Sequence, residues 1–155
     1  MNESAKYSAT DIAYYCIYYC SQELESPISN LQIQKILYYI QASFLVNLGI
    51  PCFKEEITAW KYGPVVEDVY REFRAYSASK LGLTKEPFID WCADDRSLVN
   101  NICACKSKKH AFELVNDTHE EDPWTLTDPG EHIDIDVIKK YFLNNLNRLR
   151  GGTLA

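Results

Sequence analysis

Apolar positions recur at helical spacing along most of the chain. From Ser8 onward, Ile12, Tyr15, Cys16, Tyr19 and Cys20 share one face, and Ser8 with Asp11 resembles a capping box whose N3 acid is Asp. These positions predict a first helix over about residues 9–25, stopped by Pro27. A second is predicted from a Ser29 or Asn30 cap to the stop at Gly49 and Pro51. Its main stripe is Ile33, Ile36, Leu37, Ile40, Phe44 and Leu48, yet Leu31, Tyr38 and Leu45 lie on another side. A helix apolar on several sides is normally enclosed by others, so this one is expected at the centre, with Gln34 and Lys35 as polar insertions.

The helical period lapses over residues 52–62, where Phe53, Ile57 and Trp60 and the β-favouring composition predict an extended arm or short hairpin. Gly63 and Pro64 then punctuate the chain, with Pro64 expected at the first position of a third helix, where its missing N–H costs nothing. That helix, over residues 65–76, would turn Val65, Val66, Val69, Tyr70 and Phe73 inward and Glu67, Asp68, Arg71, Glu72 and Arg74 outward. Residues 78–94 are expected to be a surface loop. A fourth helix from about Asp94 and a fifth over about residues 109–117 follow. Asp122-Pro123-Trp124 and Asp128-Pro129-Gly130 mark turns, and a last helix over residues 135–149 is expected to close at Gly151 and Gly152. The expected fold is all-α: a single compact domain over residues 1–155, with five to six helices around a central one at about 30–48 and a short extended arm or hairpin near 52–62.

Composition narrows the function. A chain of 155 residues, 46% hydrophobic, is long enough to fold alone. Lys plus Arg number 16 and Asp plus Glu 22, a net charge of −6, which argues against general nucleic-acid binding, since that needs a basic face to displace counterions. The amino-terminal residues lack a basic region joined to an apolar run, and the longest apolar stretch nearby falls far short of the ~20 residues of a membrane span. A cytoplasmic protein with no membrane partner is therefore expected. Its six cysteines are expected to be reduced. A four-thiolate zinc site from Cys16, Cys20, Cys103 and Cys105 would require their elements to meet, and no CxxC is present, so buried thiols are preferred to a metal. No phosphate-binding glycine loop or hydrolase elbow occurs, and no cofactor is expected.

Three blocks carry more. They are the run from Asn30 to Tyr39 (NLQIQKILYY), the run from Ala59 to Tyr70 (AWKYGPVVEDVY), and the run from Thr118 to Trp124 (THEEDPW). In this order and spacing they resemble the SocA-like antitoxin family built on the Panacea domain, which includes phage-associated proteins. The departures are mild: Ile33 and Ile36 where Leu is usual, Asp68 where Glu is frequent, and Glu121-Asp122 where Gly often precedes Pro-Trp. The resemblance implies an antitoxin that neutralises a cognate toxin by direct binding, without enzymatic activity. In one branch of the family the toxin is instead delivered to a cytosolic protease.

Each candidate residue carries a plain structural reading as well. Gln34 and Lys35 either tie the central helix to the loop at 60–64 or 118–124, the preferred reading, or line a groove for a partner. Trp60 and Trp124 are expected to pin their loops against the core, whereas Tyr62 is expected to be more exposed. Gly63, Pro64, Tyr70, Thr118, His119, Pro123 and Trp124 complete the structural set, with Thr118 and His119 expected to satisfy the last carbonyls of the fifth helix. The proposed toxin surface joins Tyr62 to Glu67, Asp68 and Glu72, acids suited to a basic partner. His119 among carboxylates admits a metal-assisted enzyme as an alternative, although the spacing matches no zinc signature. Lys106, Lys108, Lys109 and His110 are taken as a solvated junction, and Tyr14, Tyr15, Tyr18 and Tyr19 as core packing with one face available to a homodimer.

Overall fold

The computed structural model describes residues 5–150. The helix α1 spans Ala9–Tyr18, with the Ser8 side chain accepting the Asp11 N–H, and the chain continues through a π-helical turn at Tyr19–Glu23. Ser21 lies in that turn, where its hydroxyl donates to the Ile17 and Tyr18 carbonyls, a side-chain competition that loosens the regular ladder. The tyrosines of this region are engaged within the chain: Tyr15 donates to Asn100, and Tyr14 to Glu72.

The helix α2, Asn30–Leu48, opens with a complete capping box of Ser29 and Gln32 and ends at Gly49 in the left-handed region. All but four of its 19 residues are buried. It packs on α1 and on the later helices α3 (Glu67–Phe73), α4 (Ala93–Lys106), α5 (Ala111–Thr118) and α7 (Ile135–Leu143). Residues apolar all round thus become the centre of the molecule because every side meets another element. The buried Gln41 closes one end, its amide serving Cys52 N, Phe53 N and Phe53 O of the following loop.

The arm at 52–62 resolves into half of a hairpin, and the third helix starts later than its sequence predicts. The strand β1, Thr58–Trp60, pairs antiparallel with β2, Gly63–Val65. Pro64 therefore lies in a strand opposite Ala59 rather than at a helix N-terminus, and α3 begins at Glu67. A proline is tolerated there because β2 is an edge strand of a two-stranded sheet. The free edge of β1 is covered by residues 130–133, with Ala59 N donating to Glu131 O and Ile133 N to Ile57 O.

Two further boundaries shift. The 122–124 turn is a one-turn helix, α6, over Asp122–Thr125. The last predicted helix divides into α7 and a 3-10 turn at Leu146–Leu149, because the Asn144 and Asn145 side chains bond back to the Lys140 and Tyr141 carbonyls. The expected stop at Gly151 and Gly152 lies outside the described residues. Among the described residues the fold is mostly helical, with seven α-helices and one small sheet, and no helix is long and apolar enough to cross a membrane.

Candidate functional site

The three sequence blocks converge on the β1–β2 hairpin. Its turn consists of Lys61 and Tyr62, and the chain recovers its direction at Gly63, where φ is +104°. A Cβ at Gly63 would lie 2.7 Å from Thr118 Oγ1 and 2.8 Å from Lys35 Cε, so only glycine fits between α2 and α5. From beneath, Gln34 Oε1 accepts the Val66 N–H at 2.9 Å while its amide donates to Asn30 Oδ1. Lys35 Nζ donates to the Pro64 carbonyl at 3.1 Å.

Lys35 is 0% exposed, and its burial pushes the ammonium down to about 7. Among the described residues no charged group offsets that burial; the Pro64 carbonyl is its hydrogen-bond acceptor. Gln34 and Lys35 thus take the structural role of the pair, binding α2 to the hairpin. Both are buried, and Gln34 also lines the inner end of the groove described below.

The third block holds the turn from the other side. Trp124 Nε1 donates to the Trp60 carbonyl at 2.8 Å, and His119 Nε2 donates to the Lys61 carbonyl at 3.1 Å. The His119 and Trp124 rings stack, with centroids 4.0 Å apart. Thr118 Oγ1 serves the Val115 carbonyl, as expected of a residue ending α5, whereas the His119 imidazole caps the hairpin turn instead. Pro123, buried in α6, sets Trp124 into this position.

One member of this block was missed as a singled-out residue. Glu121 is 0% exposed, accepting from Tyr38 at 2.9 Å, Tyr39 at 2.8 Å and Arg148 at 3.0 Å. Burial pushes its carboxyl up, and the two hydroxyls and the guanidinium pull it back. The adjacent Tyr38 and Tyr39 of a buried helix are the sequence signal for such an acceptor, since buried hydroxyls require partners. Lys106 also departs from the solvated role expected of its basic run. It is buried, donates to the Arg148 carbonyl at 2.7 Å and sits 4.2 Å from the centre of the Tyr39 ring.

Trp60 and Tyr62 form the exposed side of the hairpin. Trp60 is only half-buried, its ring edge-on to Tyr70 with centroids 5.0 Å apart, so it is a groove wall rather than a core residue. Tyr62 is 47% exposed and packs edge-on against Phe112. Together with Leu31, Ala59, Val65 and Tyr70 they line a mainly apolar groove of about 640 Å3, with Asn30 and Gln34 at its inner end and Lys61 and Arg74 also lining it.

The acids expected beside Tyr62 lie elsewhere. Glu67 and Asp68 line a separate groove with Glu55, Glu56 and Arg71, and both pair with Arg71, at 3.8 and 2.6 Å. Glu72 accepts from Tyr14. The linear order that placed these acids near Tyr62 is overridden by β2, which intervenes between the turn and α3.

The thiols Cys16, Cys20 and Cys103 meet in the core: burial raises Cys16 against the lowering effect of its bond with Cys103, while a hydrogen bond with a neighbouring thiol, together with burial, raises Cys20 and Cys103, so all three stay protonated. Among the described residues no group of His, Cys, Asp or Glu has the arrangement to hold a metal ion.

The comparisons with known proteins agree with the convergence of the blocks. The family model described as "Antitoxin SocA-like, Panacea domain" matches residues 33–125, more than half of the chain and most of the hairpin clamp. The chain is also 50% identical over 52 residues to Antitoxin SocA of Caulobacter vibrioides (strain NA1000 / CB15N), a stretch covering 34% of this chain and 28% of that protein. No solved structure matches the chain. With the family model spanning the helix, hairpin and loop that clamp one another, the chain belongs to the SocA-like antitoxin family of Panacea-domain proteins.

Proposed function

We propose that the chain is a cytoplasmic antitoxin that neutralises a cognate toxin by binding it directly. The observation that carries this reading is the aromatic groove: within the segment that the family model matches, Trp60 and Tyr62 leave large apolar area open to solvent while their neighbours are fixed beneath them. Exposed aromatics on a rigid support are the usual anchors of a protein interface. Membership of an antitoxin family supplies the class of partner. His119, by contrast, is committed to the Lys61 carbonyl and the Trp124 ring, a geometry that favours a positioning role over the metal-assisted enzyme.

Co-expression with the toxin-like product of a neighbouring reading frame tests the proposal. The wild-type chain is expected to rescue the host and to co-purify with that product without nucleic acid. Tyr62→Ala should weaken rescue with an unchanged melting temperature, and a folded His119→Ala variant should retain it. Failure of the wild-type chain to rescue would sink the antitoxin reading. A toxin whose steady-state level collapses on co-expression would replace blocking by delivery to a cytosolic protease.

A further inference from the structure

The groove beside the hairpin has a charge pattern opposite to that of the chain as a whole. The net charge is −6, yet among the described residues none that lines the groove is acidic, while Lys61 and Arg74 are cationic and exposed. Neither enters an ion pair among the described residues, in contrast to Arg71 three positions earlier, which is held by Glu67 and Asp68. The polar groups at the inner end are already used: Gln34 between Val66 N and Asn30, and Asn30 also on the Tyr70 carbonyl at 3.2 Å. An occupant is therefore recognised by apolar contact along the aromatic walls and by charge at the cations.

We infer that the groove receives a toxin segment carrying an aromatic or branched apolar anchor flanked by carboxylates. The anchor would lie among Trp60, Tyr62 and Tyr70, and the carboxylates would meet Lys61 and Arg74. The inference rests on the antitoxin reading above and specifies its partner's chemistry, reversing the expectation that an acidic face meets a basic toxin. A volume of about 640 Å3 is in the range of small-molecule pockets, roughly 300–1,000 Å3, which suits an anchor side chain with its immediate neighbours rather than a whole folded partner. A phosphate-bearing ligand is disfavoured, because tight phosphate sites use converging free backbone N–H groups. The N–H groups of Ala59 and Gly130 beside the groove are committed to Glu131 and Ala59 carbonyls.

A displayed library of random dodecapeptides, selected on the purified full chain, tests the inference without requiring the toxin. Enriched peptides should combine Phe, Trp, Leu or Ile with Asp or Glu. Their affinity should fall about tenfold or more for Arg74→Glu and for Lys61→Glu, and weaken in about 0.5 M salt. Tyr62→Ala should weaken them as well. All three side chains are exposed, so each variant should melt like the parent; Arg74→Lys, which keeps the charge, should retain most of the binding. Absence of enrichment, enrichment of basic peptides, equal binding by the groove variants, or displacement of the peptides by ATP would each overturn the inference. A wild-type chain that fails to rescue cells while the selection succeeds would remove the antitoxin reading and leave the groove's preference standing.

Discussion

The two sides of the segment from β1 to the start of α3 are built on different terms. On the buried side each group is matched: Gln34 receives Val66 N, Lys35 reaches the Pro64 carbonyl, and Gly63 fits against Thr118 with no room for a methyl group. His119 and Trp124 take the Lys61 and Trp60 carbonyls. On the exposed side Trp60 and Tyr62 leave large apolar area uncovered, although the same few residues of backbone support them. A single sequence block therefore divides residue by residue. Its glycine, proline and backbone groups make the hairpin rigid, and its aromatics use that rigidity, because an anchor held in place loses less conformational entropy on binding.

Substitutions should separate the two sides, most strongly at Gly63. Gly63→Ala combines a positive φ with contacts of 2.7 and 2.8 Å to Thr118 and Lys35. Backbone strain and overpacking each contribute on the order of 1–3 kcal/mol, so a loss of roughly 2–6 kcal/mol is expected in denaturant unfolding. A variant as stable as the parent would mean that the hairpin is not clamped in this way.

A smaller effect concerns Lys35, whose burial holds its ammonium at about 7 when folded, below its ordinary value of 10.5. Between these values the unfolded chain binds more protons than the folded one, so stability rises with pH. From pH 7 to pH 8.5 the gain from Lys35 should be roughly 1–2 kcal/mol. Lys106, pushed down to about 8, acts in the same direction, so the quantity to measure is the difference in pH slope between wild type and Lys35→Met. Above that window the raised tyrosines and cysteines act in the opposite sense. Identical slopes for the two proteins would show that Lys35 is not buried as a charge-shifted group.

The smallest stability effects belong to the exposed side. Trp60→Ala should cost about 1–2 kcal/mol, less than the 3–5 kcal/mol of a core aromatic, because the ring is half-buried on Tyr70. Tyr62→Ala should change stability by no more than about 0.5 kcal/mol. Thermal melts of both beside the rescue assay would sharpen the contrast: a Tyr62 variant that unfolds early would place that residue with the clamp instead of the groove.

Much of the architecture was legible from short-range chemistry. The Ser29 cap, the Gly49 stop and the apolar residues on all sides of α2 are local features that any helix must satisfy, and they located its centre and ends. The three blocks likewise disclosed the family, and of the two ties expected for Gln34 and Lys35, to the 60–64 or the 118–124 loop, Lys35 makes the first at Pro64 while Gln34 bonds just beyond it at Val66. Pro64 misled because Gly-Pro is compatible both with a helix start and with an edge strand, and only the pairing of Ala59 with Pro64 distinguishes them.

What the sequence by itself determined about this protein is therefore its helical class, its central helix, its family blocks and its acidic balance, all carried by neighbours a few positions apart or by totals. Tertiary structure alone decided which charges are enclosed and which surfaces face outward. Glu121 finds Tyr38 and Tyr39 more than 80 positions away, and Tyr62 is separated from Glu67 and Asp68 by a strand between them in sequence. The physical reason is that a cap or an apolar period is satisfied within one turn of chain. Desolvation of a charge, and the side of the fold on which an aromatic remains exposed, depend on elements that approach only when the whole domain is packed.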